Sequence, residues 1–322
     1  MAQAAQAQKK DLAVSEPTVS ERFTGMVIKE LASTTGSGVA LSEDQKRLAQ
    51  HLFVKIDATL NALEVKRSQQ DKNGTPIVWA NVNMQKLALD AMHRIELGLD
   101  ALIPNHIHPI PYLNKKTGKY DLDLRIGYAG KDYYRRGVAL EKPKDIIYEL
   151  VYSTDKFVAH KRSLGREGDS YEFEITQPFD RGDVVGGFGY IMYEDPSKNK
   201  LILLTEKDFQ KSKKIAKSSN FWTDNPIEMR YKTIVHRVTD KLTMDPRKVT
   251  ASVAAVEQQE YEAEVASEIE REANQDIIDV KAEPAGDTAE ENPPMSEQEK
   301  AEALEREKAE AAAESQQRGP GF

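Results

Sequence analysis

Along residues 43 to 67, Leu48, Leu52, Ile56, Leu60 and Leu63 recur at steps of three and four, a spacing that predicts an amphipathic helix. Residues 83 to 97 repeat the period with Met84, Leu87, Ala91 and Ile95. Gly98 is placed to cap that helix, and Pro104, Pro109 and Pro111 forbid its continuation. From 105 to 205 the alternation has period two. Leu122, Leu124 and Ile126 alternate with Asp121, Asp123 and Arg125. "DIIYELVY" and "KFVAHKR" read as strands joined by "STD", and "VVGGFGYIMYE" and "LILLT" flank the turn "DPSKNK". Inside this region "AGKDYYRRG" has the length of two helical turns, ended by Gly137. The helical period returns after Thr205, whose side chain can cap "EKDFQKSKK". In "NPIEMRYKTIVHRVTDKLTM", Ile227, Tyr231, Ile234, Val238 and Leu242 form one stripe. That leaves Lys232 and His236 on the opposite, wet side, with Arg230 and Arg237 on a flank. The expected fold class is α+β: a small, mostly antiparallel sheet packed with helices.

Three segments follow from composition. Residues 1–20 are Ala/Gln-rich and read as disordered, 21–250 carry the ordered domain, and 251–322 form an acidic, low-complexity tail. Within the tail, "SEQEKAEALEREKAEAAAES" has a capping box at Ser296 and Glu299 but only Leu304 to bury, so it predicts at most a solvated helix. Charge divides at the same place. After residue 250 there are 20 acidic and 6 basic residues, leaving 33 acidic and 39 basic before it, so the overall charge of −8 belongs to the tail. The body is mildly basic and compatible with an anionic partner.

Several chemistries are excluded or weak. No cysteine is present, which removes disulfides, thiolate metal sites and cysteine nucleophiles. No phosphate-binding loop of the form G-x-x-x-x-G-K-[ST] and no G-x-S-x-G elbow occurs, and "GGFGY" sits inside a strand with no helix after it. The chain start lacks the basic-then-apolar order of a signal peptide, and no run has the ~18 apolar residues of a membrane span. A cytoplasmic protein without a membrane partner is expected. His106 and His108, with Asp121 and Asp123 on the next strand, are a candidate divalent-metal set, weighed against a solvated strand face. His160 and His236 read as lone histidines on polar sides. Basic runs are the stronger signal: Lys115, Lys116 and Lys119; then Arg125, Lys131, Arg135 and Arg136; then Lys207, Lys211, Lys213, Lys214 and Lys217 just before Phe221 and Trp222. Interleaved with Tyr128, Tyr133 and Tyr134, they suit a nucleic acid, whose phosphates require positive charge and whose unpaired bases require flat surfaces. Gly127 and Gly130 bracket Tyr128, which fits a phosphate contact or an ordinary strand-to-helix turn.

These residues, in this order, resemble the RecT family of phage single-strand annealing recombinases. Leu97, Gly98 and Leu99 match its "LGL" helix end, and Ile126, Gly127, Tyr128 and Gly130 match its "IGYRG" core, with Ala129 at the usually basic position. Trp222, Glu228, Met229, Lys232, Thr233 and Arg237 match its tryptophan and "EMAKKTxxR" helix, with Arg230 and Tyr231 departing from it. The likeness spans roughly residues 80 to 245. It implies an ATP-independent protein without covalent catalysis that binds single-stranded DNA, anneals complementary strands and forms oligomeric rings or filaments. A phage exonuclease and a single-strand-binding protein are the expected partners, with no required cofactor and magnesium as a modulator. On this reading Arg125, Lys131, Arg135, Lys207, Lys211, Lys214, Lys232 and Arg237 contact phosphates, and Tyr128 and Trp222 stack on bases or shape the groove. The rival readings are a metal-dependent nuclease built on Asp121, Asp123 and a histidine, and a structural phage assembly protein.

Overall fold

The computed structural model describes residues 16–35, 42–71, 73–216 and 220–273. The Ala/Gln-rich start and the segment with Ser296, Glu299 and Leu304 lie outside them. Among the described residues eight α-helices and seven strands give the expected α+β class, but as three separate antiparallel sheets of two, three and two strands.

The first half is a helical layer on a hairpin. Helix α1 (Val19–Thr35) was not legible as an element among polar neighbours, yet Phe23, Val27 and Leu31, four apart, are buried, and Thr18 and Glu21 cap its start reciprocally. Helix α2 (Glu43–Gln70) begins at a capping box of Ser42 and Gln45 and buries Leu48, Leu52, Ile56 and Leu60, as the period predicts. Helix α3 (Met84–Glu96) buries Leu87, Ala91 and Ile95, and Gly98 turns the chain at φ +72°, a conformation that side chains with a Cβ disfavour. These helices share one core with the hairpin of β1 (Ile107–Asn114) and β2 (Lys119–Ile126). In β2 Leu122 and Leu124 face inward, as alternation requires.

The second half is a sheet covered on both faces. Strands β3 (Asp145–Tyr152), β6 (Val184–Met192) and β7 (Lys200–Thr205) pair in the order β3-β6-β7. The strands β4 (Lys156–His160) and β5 (Ser170–Glu174) form their own hairpin, so β3 and β4, adjacent in sequence, do not pair. Strand β6 explains the layering. Phe188 and Tyr190 point to an aromatic cluster with Phe157, Tyr171 and Phe173 of the β4-β5 hairpin, while Gly187 and Gly189 point the other way. A Cβ on either glycine would collide with Ile234 or Val238 of helix α7 (Pro226–Thr239), so the glycines set how closely that helix lies on the sheet. Burying Ile234 and Val238 there contributes about 1.5–3 kcal/mol each. Helices α5 (Glu206–Ile215) and α6 (Asn220–Asp224) complete this core with Phe209 and Trp222.

Helix α4 (Tyr128–Val138) joins the halves. It runs one residue past Gly137, its core residue is Tyr134, and it packs along α7. The ordered chain does not stop near residue 250. Helix α8 (Ala251–Ala273) follows, and Ser252, Val253 and Val256 are buried against the body. The boundary drawn from charge missed this because three small buried side chains suffice to dock an otherwise acidic segment.

Candidate nucleic-acid interface

Helix α7 organises the site because every side of it is used. Ile234 and Val238 meet the sheet. Arg230 bonds Glu206 of α5 at 3.1 Å, and Arg237 acts electrostatically on Asp208 of the same helix. Tyr231 lies edge-on to Tyr128 of α4, ring centroids 6.0 Å apart, and to Tyr148 of β3 at 6.3 Å. The side that the sequence pattern left wet is instead packed. His236 is half-buried, and desolvation, then Lys131 and Lys232, push its imidazole down to about 3, so it is neutral at physiological pH.

Lys232 lies one turn before His236 and makes no ion pair among the described residues. Burial, then the Arg125 guanidinium, hold its ammonium below the usual lysine range. Three further groups converge there. Arg125 of β2 is paired in register with His108 of β1, and His108 also feels Lys232 and Lys55 of α2. Its Nε2 lies 2.9 Å from where a Cβ on Gly127 would sit, which places the imidazole at the start of α4. The residue is exposed to solvent, and desolvation by its neighbours, then Lys232, Lys55 and Arg125, hold its pKa below the usual histidine value. Four groups from four elements thus gather where β1, β2, α2 and α7 approach one another, and among the described residues the one carboxylate bonded to any of them is Asp123, 3.0 Å from Arg125. Tyr128, half-buried beside it, receives a hydrogen bond from Asn105 Nδ2. The glycines of this turn serve the chain itself: a Cβ on Gly127 would strike the carbonyl of Asn105, and one on Gly130 that of His106. They permit α4 to sit on the end of the β1 loop rather than supplying a free approach for a ligand.

Lys131 and Arg135 have a different fate. They are only 7% and 8% exposed. Lys131 Nζ lies 2.9 Å from Asp240 and 2.8 Å from Glu260, and Arg135 lies 2.5 Å from Glu257 and 3.5 Å from Asp240. Burial works against both charges, but Glu260 and Asp240 outweigh it at Lys131 and Glu257 does so at Arg135, and both pKa values rise. Tyr134 donates to Glu257 as well, at 2.8 Å. The expectation that these two cations face a phosphate is therefore corrected: α8 carboxylates occupy both. Alongside, Ser252 bridges His93 and Glu96, and Gln259 bonds Arg94 and Asp90, so α8 is tied to α3 too.

The remaining nominated residues separate cleanly. Lys207, Lys211 and Lys214 are exposed on one stripe of α5, at spacings of four and three, opposite the buried Phe209. Arg237 is exposed on the neighbouring flank of α7. Trp222 is 5% exposed and packs in the core, so it supports the α7 region from beneath and offers no stacking face. Its sequence neighbour Phe221 is the exposed ring. Tyr133 is exposed over His106, with ring centroids 5.6 Å apart. The metal candidates do not converge. Asp121 accepts from Asn83 at 3.0 Å and Asn114 at 3.3 Å and pairs with Lys86, His106 Nδ1 meets the Asp100 amide, and no group of three potential ligands forms among the described residues. A cavity of about 680 Å³ opens along α4, but its Arg136 is bonded to Asp132 and its Lys248 to the Ala139 carbonyl.

This cluster joins Arg125, Tyr128 and Lys232, which the sequence singled out, to His108, which it weighed only as a metal ligand, and to Lys55 and Tyr231, which it passed over as a contact. Lys55 sits between buried positions of an amphipathic helix, and nothing in its local pattern marks it. In comparison with known families, residues 67–276 match the model described as RecT family, a span from the end of α2 through α8 that includes every group of the cluster except Lys55. Among curated proteins no relative matches the chain.

Proposed function

The chain belongs to the RecT family of single-strand annealing recombinases, and from that premise we propose that it binds single-stranded DNA along the cleft between the β1-β2 hairpin, α4 and α7 and anneals it to a complementary strand without nucleotide hydrolysis. The observation that carries this reading is the gathering of Lys232, Arg125, Lys55 and His108 between the β1-β2 hairpin, α2 and α7, with Asp123 the one carboxylate bonded to any of them among the described residues. Like charges brought together in a fold cost free energy unless an anion completes the set. A phosphodiester backbone is such an anion, and counterion release from it supplies affinity independent of sequence. The lysine stripe of α5 and Arg237 extend the positive surface along the far flank of α7, as further backbone contacts. Tyr128 and Tyr231 form an aromatic wall beside Lys232 on which a base plane can rest, leaving Watson–Crick edges free for a second strand. No step requires a covalent intermediate or a resident metal, and magnesium acts on the DNA strands as a modulator.

Assembly into rings or filaments, cooperation with an exonuclease and a single-strand-binding protein, and a cytoplasmic site of action belong to the same proposal. No helix among the described residues is long and apolar enough to cross a membrane. The deciding experiment mixes two complementary fluorescent oligonucleotides with the purified chain, without nucleotide, with and without magnesium, and follows with a gel for strand integrity. Accelerated duplex formation with intact strands is the expected result. Magnesium-dependent cleavage would replace this reading with a nuclease, and no effect at low salt would leave a structural role.

A further inference from the structure

Among the groups lining the cleft, His108 is the one whose charge can change near neutral pH. It faces Arg125 across the β1-β2 ladder and Gly127 at the start of α4, and it feels Lys55 on α2 and Lys232 on α7. Asp123 is engaged by Arg125 at 3.0 Å. His106, just ahead of β1, is buried against the Asp100 amide and Tyr133. Every charged group felt by His108 is thus positive in the unliganded chain.

We propose that His108 is a proton-linked phosphate contact: the imidazole is neutral in the empty cleft and takes up a proton when a phosphodiester of single-stranded DNA enters, so that binding strengthens as pH falls. The inference rests on the DNA-binding reading and adds its regulation. Desolvation first, then Lys232, Lys55 and Arg125, disfavour a further positive charge while no anion is bound, which keeps the imidazole pKa low. A phosphate placed among the three cations reverses the local field. The imidazolium then has an anionic partner and a charge-assisted hydrogen bond to donate. Raising the pKa of one group on binding makes affinity fall as pH climbs from the free to the bound value, with a limiting slope of about tenfold per pH unit for one proton.

The test uses the full chain and an oligo-dT strand, because thymine carries no protonatable ring nitrogen near neutral pH. Affinity is measured by fluorescence anisotropy from pH 8 to pH 6 at constant ionic strength, for wild type and His108→Gln. The wild type is expected to bind several-fold more tightly at pH 6 than at pH 8, and His108→Gln to bind with little pH dependence. A second measurement on the unaltered chain, the pH titration of the His108 ring resonance by NMR with and without oligo-dT, is expected to show its midpoint moving upward on binding. DNA binding that is equally tight at both pH values, an equal slope in His108→Gln, or an unmoved midpoint would overturn the proton link and leave the DNA-binding reading standing. Failure of oligo-dT to bind at any pH would overturn that reading and this inference with it.

Discussion

Two pairs of cations beside helix α7 have opposite fates. Lys131 and Arg135 meet three carboxylates at 2.5–3.5 Å, whereas Lys232 has no acidic partner among the described residues and Arg125 only Asp123. Both pairs arise from the same basic and aromatic motifs, and both sit where α4, β2 and α7 meet. The difference is made elsewhere in the chain: Glu257 lies 122 residues from Arg135 in sequence. A cation is available to a ligand only if no distant acid claims it first. Local composition cannot reveal that, because the claim is settled by tertiary packing. A buried pair of this kind is costly to break singly, while an unpaired, half-buried cation costs stability until a ligand arrives.

Each prediction below sharpens or breaks this contrast. Trp222→Ala, in the core beneath α7, should lose about 3–5 kcal/mol in urea unfolding, while Phe221→Ala, next to it but exposed, should lose well under 1 kcal/mol. The reverse order would return Trp222 to the surface. Arg135→Ala leaves Glu257 only the Tyr134 hydroxyl as a partner, and a loss of about 3 kcal/mol is expected, at the low end for buried pairs because Glu257 keeps that hydrogen bond and some solvent contact. A stable Arg135→Ala variant that fails to bind DNA would abolish the distinction between the two pairs.

His236, on the same helix, tests whether its own surroundings are dry. Its folded pKa, about 3, lies below the unfolded value near 6.5. Between those values the unfolded chain binds the proton and the folded chain does not, so stability must fall as pH drops from about 6.5 towards 3. His236→Gln should flatten that acid limb, and an unchanged limb would mean that the imidazole is solvated. The smallest effects belong to α5. Lys207→Gln, Lys211→Gln and Lys214→Gln should each leave stability within about 0.5 kcal/mol. Each should also weaken DNA binding equally for all sequences.

Much of this arrangement was legible before any coordinates. Periods of three and four placed α2, α3 and α7, alternation placed β2, and the order of the motifs pointed to the family. What escaped has physical causes. Helix α1 rests on Phe23, Val27 and Leu31 in a polar context too sparse to stand out. Helix α8 hides its docking face, Val253 and Val256, within an acidic composition. The buried side of α7 read as wet because periodicity reports one apolar stripe and is silent on a second helix covering the polar one. His108 escaped as a cleft group because its meaning depends on Lys55 and Lys232, which are remote from it in sequence.

The most direct test compares the salt dependence of oligo-dT affinity for Lys232→Ala and Lys131→Ala, both against wild type. The account predicts that Lys232→Ala loses about one unit of the log–log salt slope, as expected for one phosphate contact, while Lys131→Ala keeps the wild-type slope and loses stability instead. A full slope in Lys232→Ala together with a reduced one in a folded Lys131→Ala would contradict it.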